Sequence, residues 1–521
     1  MLKTGDPRCS ESRRAHPPAR LVVATLMGLA GASSCAHVDP AADFARTRQL
    51  IRSRTGAETA YDPDAPVLTH EEIDALLVDG LTLEEAVRLA LLNNRGLQAE
   101  FMRIGVAKAD LVQAGLLSNP TLAFSAQFPE GGGRSNVQAS LAQNIADLWQ
   151  IPLRRKVADA ALNETILEAA HVASTLAQQT RIDYYRAKAA EGQHDVAEKN
   201  RELVSRSHAA VQSQREAGLA NLLDENLAHG QVLTAELGVR QARLEAANAK
   251  RELARRLSLS RDVEAVRLVD ALADSDEPAP TAEEAIEIAR THRLDVQAIE
   301  QATESLLAGI ALEKRRILPD VSIGPFLERP DRRATPGRDV AADFVRSSLT
   351  SGALTVPGIQ SRSERQRQRS REIDFLMGPA LTLTLPIFDQ NQAQIARARY
   401  EYLREFREYE ALLIDIAQNV RLAVDAAITA QSTAAYYRDQ LVPQALQSLE
   451  FAMASYAAGQ TNLLTLLEAQ RSALEAQRGR TKTLLEANVA RSRLELELGT
   501  RLDGAARSSA ESNHQSCPGL P

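Results

Sequence analysis

The chain has 521 residues, of which 44% are hydrophobic, 25% are charged and only 4% are aromatic. The hydrophobic fraction excludes wholesale disorder, and the scarcity of aromatic residues argues against a thick conventional core. A formal net charge of -7 argues against a nucleic-acid-binding protein. Abundant Ala, Leu, Glu, Gln and Arg predict long helices packed through small residues. No stretch reaches the roughly 18 apolar residues of a transmembrane helix, so a helical pore is not predicted.

The first residues have the pattern of an export signal. Arg13, Arg14 and Arg20 precede a short apolar run at 21–30, and small residues follow it. This order is typical of a secretory signal peptide, which we expect at 1–34. The small residues before Cys35 predict a lipobox and lipidation of that cysteine, although Ala32 stands where such boxes usually carry Leu. Cleavage by an ordinary signal peptidase is the alternative. We expect residues 35–80 to form an N-terminal extension.

The chain contains two copies of one pattern. The segment from Thr82 recurs from Thr281, and a second correspondence relates the region around Gly218 to that around Gly459. Each of the two threonines is followed three residues later by Glu, the signature of a helix capping box. Each copy predicts a helix of about 36 residues that ends near a proline. The predicted organisation is a first repeat at 81–260, a linker at 261–280, a second repeat at 281–503 and a tail at 504–521.

The periodicity changes to that of a strand after each of these prolines. Apolar and polar residues then alternate, at 122–128 and 137–142 in the first copy and at 321–323 and 381–385 in the second. Three glycines at 131–133 favour a turn between the first two runs. These patterns predict two β-hairpins, with strands near the ~9–11 residues that cross an outer membrane.

Long helices follow the strands. No proline occurs from Leu153 to Glu277, and a helix from Leu153 to Ala217 would be roughly 100 Å long. Gly218 and Gly459 mark the predicted tight turns where each long helix reverses into its partner. Such hairpins are not an enzyme fold.

Four strands are also too few for a membrane barrel, since barrels begin at about eight and open edges expose unpaired backbone groups. Several chains must therefore combine their strands.

Further motifs carry a family resemblance. They are the opening at 81–86, the landmarks Asn94 and Pro120, the strand exit at 385–389 and the hairpin-tip stretch at 456–470. With these, the sequence resembles the outer-membrane efflux protein family, the TolC-like channels of tripartite efflux pumps, over residues 81–503.

This resemblance implies a mainly α fold with a small β part, built from two tandem helix–strand–strand–helix repeats. Long coiled-coil hairpins would form a periplasmic tunnel, and each chain would contribute four strands to a trimeric twelve-stranded outer-membrane barrel. The implied partners are a periplasmic membrane-fusion adaptor and an inner-membrane transporter of the resistance-nodulation-division class. The implied location is the outer membrane of a Gram-negative bacterium, with no catalytic residues and no cofactor.

The family also implies a gate at the hairpin tips. Tyr456 matches the family's tip tyrosine, Asp224 matches its partner aspartate, and Glu468 matches one acidic position of the lumen. Thr461 and Thr465 depart from the family pattern, since they replace an arginine link and a second acid. The resemblance therefore implies a gate held by Asp224 and Tyr456, and a looser one than in the family pattern. The alternative is that Asp224 and Glu468 are solvated helix-surface charges.

The segment 329–371 is the largest insertion and would lie outside the cell. It holds ten Arg and four acids, and arginine pairs well with phosphate. Contact with lipopolysaccharide phosphates is one interpretation, and a disordered, solvated loop is the other. The nine His show no metal-ligand spacing. Four of them are widely separated along the long helices, and we expect them to be ordinary surface residues: His171, His194, His208 and His229.

Two alternative functions remain. The same architecture could serve type I protein secretion with an ABC transporter, where a lipobox is less expected. A periplasmic coiled-coil scaffold whose strands never enter a membrane is the other alternative. The sequence does not distinguish drugs, solvents and metal ions as cargo.

Overall fold

A computed structural model describes residues 36–65, 68–128, 130, 133–218, 220–260, 266–274, 276–330, 332–333, 340–354 and 375–502. The proposed signal peptide, Cys35 and the tail at 504–521 lie outside these ranges. All the helices and strands given below belong to one compact unit that begins at Pro40.

The chain is mainly helical with a small antiparallel sheet, which confirms the predicted fold class. The helices are α1 (Ala41–Thr55), α2 (His70–Val78), α3 (Leu83–Asn93), α4 (Arg95–Ala114), α5 (Asp147–Glu216), α6 (Leu222–Arg256), α7 (Ala282–His292), α8 (Leu294–Arg315), α9 (Val340–Ser351), α10 (Gln392–Tyr436), α11 (Val442–Ala457) and α12 (Leu463–Leu498). The strands are β1 (Thr121–Gln127), β2 (Gly133–Arg134), β3 (Asn136–Asn144), β4 (Val321–Arg329), β5 (Arg332–Arg333) and β6 (Leu376–Leu383).

Both predicted capping boxes are confirmed. At the start of α3, the backbone N–H of Glu85 donates to the Thr82 hydroxyl at 3.2 Å, and the Glu85 carboxylate accepts from the Thr82 backbone N–H at 2.9 Å. Thr281 and Glu284 form the same reciprocal pair at the start of α7. Each box satisfies two N–H groups that the first helical turn leaves without a partner.

The single helix of about 36 residues expected after each box is wrong, because each is broken in two. Asn94 has an extended backbone between α3 and α4, and its amide side chain caps α4 at the Leu97 N–H and reaches the Arg256 carbonyl oxygen at 2.9 Å. The corresponding break at Arg293 is fixed by ion pairs to Asp295 and Glu497. Side-chain bonds to distant segments therefore hold both breaks.

The first long helix is longer than expected. Helix α5 has 70 residues, which corresponds to about 105 Å at 1.5 Å per residue. Pro152 lies in its second turn, where its missing N–H leaves the Leu148 carbonyl without the usual i→i−4 donor. Many of its buried residues are alanines, including Ala169, Ala170 and Ala173. The predicted packing through small residues is present in this helix.

A π-helical segment interrupts the second long hairpin. It spans Tyr437–Leu441, immediately before Pro443 in the first turn of α11. Tyr437 packs against Gly479 of α12, where a Cβ atom would overlap its ring. Arg438 pairs with Asp274 at 2.9 Å and with Asp276 at 3.1 Å. The acidic linker between the two halves is thereby attached to the second hairpin at its irregular point.

Four strands form one antiparallel sheet in the order β1-β3-β4-β6. The register places Phe124 opposite Ala139, and Leu327 opposite both Ala139 and Met377. Strands β1 and β6 are the two edges, and Leu122 and Phe124 on β1 are more than two-thirds exposed. The two predicted hairpins thus lie side by side in one sheet. Of the predicted glycine turn, only Gly133 is described, and it pairs with Arg333 in a separate small sheet.

Part of the arginine-rich insertion is helical. The interpretation of 329–371 as a disordered loop is wrong for α9, because the run Val340–Ser351 contains neither proline nor glycine and ends at Gly352, which has a φ of +68°. The arginine run at 362–371 lies outside the described residues.

Candidate functional site at the hairpin tips

The tips of the two long hairpins have the same construction. Helix α5 ends at Glu216 and α11 ends at Ala457, and each is followed by a glycine in the left-handed region. Gly218 has a φ of +74° and Gly459 has a φ of +70°. A side chain is strained in this conformation and glycine is not. The two predicted turn glycines therefore have the backbone that a reversal requires.

Asparagine begins the return helix at both tips. The Asn221 side chain accepts from the Asp224 backbone N–H at 2.9 Å, and the Asn462 side chain accepts from the Thr465 backbone N–H at 3.0 Å. In the first tip the Asp224 carboxylate also accepts from the Asn221 backbone N–H at 3.2 Å, which completes a capping box. Asp224 is half-buried, and its carboxylate helps to hold the start of α6. This structural role is compatible with the predicted role of Asp224 in a gate.

The two tips pack against each other through an apolar cluster that draws on four helices. The buried members of this tip cluster are Val211, Ala228, Leu449, Ala452, Leu463, Leu466 and Ala473. Tyr456 is half-buried at its edge. The cluster makes one structural unit of the ends of α5, α6, α11 and α12.

Two hydrogen bonds link the first hairpin to the second beside this cluster. The Tyr456 hydroxyl donates to Gln214 Oε1 at 2.8 Å, and Gln470 Nε2 donates to Ser207 Oγ at 2.6 Å. Gln470 is buried. Sequence reasoning did not find Gln214 or Ser207, because both are ordinary polar residues of a long helix until the register of the two hairpins is known.

Two of the three predicted gate residues, Asp224 and Tyr456, interact electrostatically. Burial raises the pKa of the Tyr456 hydroxyl, and the charge of Asp224 raises it further. The structure therefore brings Asp224 and Tyr456 close enough to interact within one chain. Glu468 is exposed on α12, where its charge acts on Arg471 one turn away. Thr461, at the position of the missing arginine link, has a buried hydroxyl oxygen without a hydrogen-bond partner in the described part of the chain.

The expectation that His208 and His229 are widely separated is wrong, although both lie at the surface as expected. Their rings lie side by side, with centroids 5.3 Å apart and planes tilted by 45°. His208 precedes Gly218 by ten residues and His229 follows it by eleven. Reversal of the chain at Gly218 therefore brings the two rings to the same level of the hairpin, and this symmetry about the turn was a usable sequence signal.

Within the described residues, no helix combines the length and the apolar character needed to cross a membrane. The described residues also contain no group of three or more His, Cys, Asp or Glu side chains arranged to hold a metal ion.

Comparison with known proteins identifies relatives of the chain. A family model described as "Outer membrane efflux protein" matches residues 285–500. The cobalt-zinc-cadmium resistance protein CzcC of Cupriavidus metallidurans is 24% identical over 411 residues, which are 76% of this chain and 84% of CzcC.

Solved outer-membrane proteins share the fold. VceC of Vibrio cholerae superimposes with a TM-score of 0.62 at 16% identity, over 80% of this chain and 96% of VceC. The open state of the MtrE outer membrane channel of Neisseria gonorrhoeae gives a TM-score of 0.62 at 17% identity, over 81% of this chain and 89% of MtrE. These solved structures agree with the repeated motifs, the four-stranded sheet and the long hairpins. Over residues 285–500 the chain is similar to the outer membrane efflux protein family.

Proposed function

We propose that three copies of this chain form an outer-membrane exit duct, which passively conducts cargo from an inner-membrane transporter to the exterior. The observation that carries the proposal is the four-stranded sheet with two open edges, joined to long helical hairpins whose first helix, α5, is about 105 Å long. Energy for transport would come from the inner-membrane partner.

The strand directions support closure by identical copies. Each strand of the sheet is antiparallel to its neighbours, so β1 and β6 run in opposite directions at the two edges. When β6 of one copy meets β1 of the next, the junction is again antiparallel. Three copies then give twelve strands with no free edge, and in lipid each unpaired backbone group at such an edge costs several kcal/mol.

Exposed apolar side chains on the sheet support contact with lipid. Leu122 and Phe124 on β1 are 74% and 70% exposed, and Leu381 on β6 is 67% exposed. A soluble protein normally covers such a face of a sheet. An outer-membrane barrel exposes it to lipid instead.

The helices also have apolar faces that the single chain leaves uncovered. On α6, Leu223, Leu237 and Leu244 are each more than half exposed and are spaced by multiples of seven residues. On α10, Ile414 and Leu422 are similarly exposed. Apolar positions that repeat every seven residues are typical of helix-to-helix packing in coiled coils. We infer that these faces pack between copies to form the wall of a periplasmic tunnel.

The gate is proposed at the hairpin tips. Asp224 and Tyr456 would hold the tips closed, because Asp224 fixes the start of α6 and its charge acts on Tyr456. Glu468, exposed on α12, would place negative charge in the lumen. The competing proposal, that Asp224 and Glu468 are only solvated surface charges, is tested by conductance measurements in the Discussion.

The remaining assignments follow from the export signal and the family. Cys35 would be acylated and would anchor the chain in the outer membrane, with a periplasmic adaptor and a transporter of the resistance-nodulation-division class as partners. Drugs or metal ions are the proposed cargo, and the name of the cobalt-zinc-cadmium relative favours metal ions. Type I protein secretion is the second candidate, and unmodified Cys35 would favour it.

The test is membrane fractionation of cells that express the full chain, followed by light-scattering mass in detergent and heat-modifiable migration on gels. Mass spectrometry of the mature N-terminus gives the state of Cys35 in the same preparation. An outer-membrane trimer that migrates differently after boiling is expected. A periplasmic monomer or dimer without heat-modifiable migration would contradict the proposal and favour the coiled-coil scaffold.

A further inference from the structure

Two histidine side chains face each other across the first long hairpin. His208 on α5 is half-buried, and His229 on α6 is exposed. Their ring centroids are 5.3 Å apart, with the planes at 45°. Neither residue is part of the links that join the two tips, so the pair has no role in the construction of the proposed gate.

This separation matches the geometry of two imidazoles bound to one metal ion. A zinc-to-nitrogen bond is about 2.0–2.1 Å long, and the ring centre lies roughly 1.2 Å beyond the nitrogen. A tetrahedral angle between two such ligands therefore places the ring centres about 5.2 Å apart. The rings of His208 and His229 are at this distance without any movement of either helix.

The chemistry of the donors favours a borderline transition metal. Neutral imidazole is a good ligand for Zn²⁺, Cu²⁺ and Ni²⁺ and a poor one for Ca²⁺ and Mg²⁺. No third His, Cys, Asp or Glu joins the pair among the residues that the structure describes. Water would therefore complete the coordination, and such a site is open and readily exchanges its ion.

We propose that His208 and His229 form a two-histidine site for a divalent transition-metal ion. The bound ion connects α5 to α6 about 15 Å before the turn at Gly218, since His208 precedes that glycine by ten residues. The site belongs to the first hairpin alone, because Leu449 and Gln470 occupy the corresponding positions of the second. The proposal does not depend on the transport function.

The test is isothermal titration of the purified full-length protein in detergent with Zn²⁺ and then with Ni²⁺. The protein carries an affinity tag without histidines. His208→Gln and His229→Gln are the test variants, and His194→Gln is the matched control because His194 is a partly exposed histidine of the same helix. Electron paramagnetic resonance of bound Cu²⁺ counts the nitrogen ligands of the wild-type protein.

We expect one saturable ion per chain, with two nitrogen ligands, in the wild-type protein and in His194→Gln. Either test variant should weaken the affinity at least tenfold. Absence of saturable binding in the wild-type protein would mean that the rings only pack against each other and would overturn the proposal. Binding in either test variant that is as tight as in the wild-type protein, or a single nitrogen ligand in the spectrum, would also overturn it. The wild-type measurements hold even if a variant does not fold.

Discussion

Tyr456 in the second hairpin donates its hydroxyl to Gln214 in the first, at 2.8 Å. These two residues are 242 positions apart in the chain, so the bond joins the ends of the two long hairpins. The apolar tip cluster lies beside it, and Asp224 acts on the same hydroxyl through its charge. Any opening movement of one tip relative to the other must therefore break this bond or carry both hairpins together.

Removal of the Tyr456 hydroxyl tests how much this bond contributes. Tyr456→Phe leaves the ring in place but leaves the half-buried Gln214 oxygen without its donor. One lost hydrogen bond of this kind lowers the free energy of unfolding by about 1 kcal/mol. The measurement is thermal unfolding in detergent, with Tyr400→Phe as a control because Tyr400 is 74% exposed. Equal melting temperatures for the two variants would show that the bond adds nothing.

Asp224 tests the proposed gate. Asp224→Ala should raise single-channel conductance in planar bilayers, because it removes the carboxylate that accepts from the Asn221 N–H and with it the charge beside Tyr456. Asp224→Asn keeps the shape and removes only the charge. Thr465→Ala is the matched control, since Thr465 occupies the third position of α12 as Asp224 does in α6. Unchanged conductance of Asp224→Ala would refute the gate assignment and favour the solvated-charge alternative.

Stability should fall as the pH rises through the titration of Glu164. Burial, reinforced by the charges of Glu168 and Glu405, raises the pKa of this carboxyl from 4.5 to about 7. Between these two values the folded chain holds a proton that the unfolded chain has lost. Stability is therefore highest below pH 4.5, decreases up to pH 7 and stays low above it, as far as this group is concerned.

Glu164→Gln should remove this dependence. The variant should melt at a higher temperature than the wild-type protein at pH 8, and the difference should shrink towards pH 4. The control is Glu202→Gln, whose side chain is 67% exposed on the same helix. A difference between Glu164→Gln and the wild-type protein that is constant over this pH range would contradict the assignment.

Two glycines of the sheet should respond differently to the same substitution. A Cβ atom at Gly324 on β4 would overlap the carbonyl oxygen of Leu141 on β3, whereas a Cβ at Gly378 on β6 has open space around it. Gly324→Ala should therefore separate the two strands and lower the yield of heat-modifiable protein in the outer membrane. Gly378→Ala should behave as the wild-type protein does. Similar yields from the two variants would show that β3 and β4 are not held as closely as the structure indicates.

Arg438 tests the attachment of the linker. Arg438→Gln removes the ion pairs to Asp274 and Asp276 and should expose the linker at 274–280 to faster proteolysis, followed by gel and mass analysis of the fragments. Arg471→Gln is the matched control, because it breaks only a local pair with Glu475 on α12. Exposed pairs of that kind contribute little. Equal cleavage rates in the two variants would mean that other contacts hold the linker.

Features that depend on neighbouring residues could be predicted from the sequence. The capping boxes at Thr82 and Thr281 and the left-handed turns at Gly218 and Gly459 each involve residues within three or four positions of one another. The main fold class followed from such local patterns and from the repeat.

Features that depend on distant segments could not be predicted in the same way. The break at Arg293 is held by Asp295, two residues away, and also by Glu497, which lies 204 residues away and could not be identified from the local sequence. The Tyr456–Gln214 bond requires the register of one hairpin on the other. The pairing of His208 with His229 is an intermediate case, because it needed only the position of the turn at Gly218.

The most direct test of the proposed duct is disulfide cross-linking between the edges of the sheet in neighbouring copies. Cysteines are introduced in pairs, one along β1 and one along β6, in a Cys517→Ser background, and outer membranes are oxidised and run on non-reducing gels. If three copies form the duct, β1–β6 pairs that face each other between copies should give covalent trimers. Pairs of cysteines placed within β3 are the control and should give none, because β3 is an inner strand of the sheet. Monomers throughout the β1–β6 panel, in protein that reaches the outer membrane, would contradict closure of the barrel by three copies.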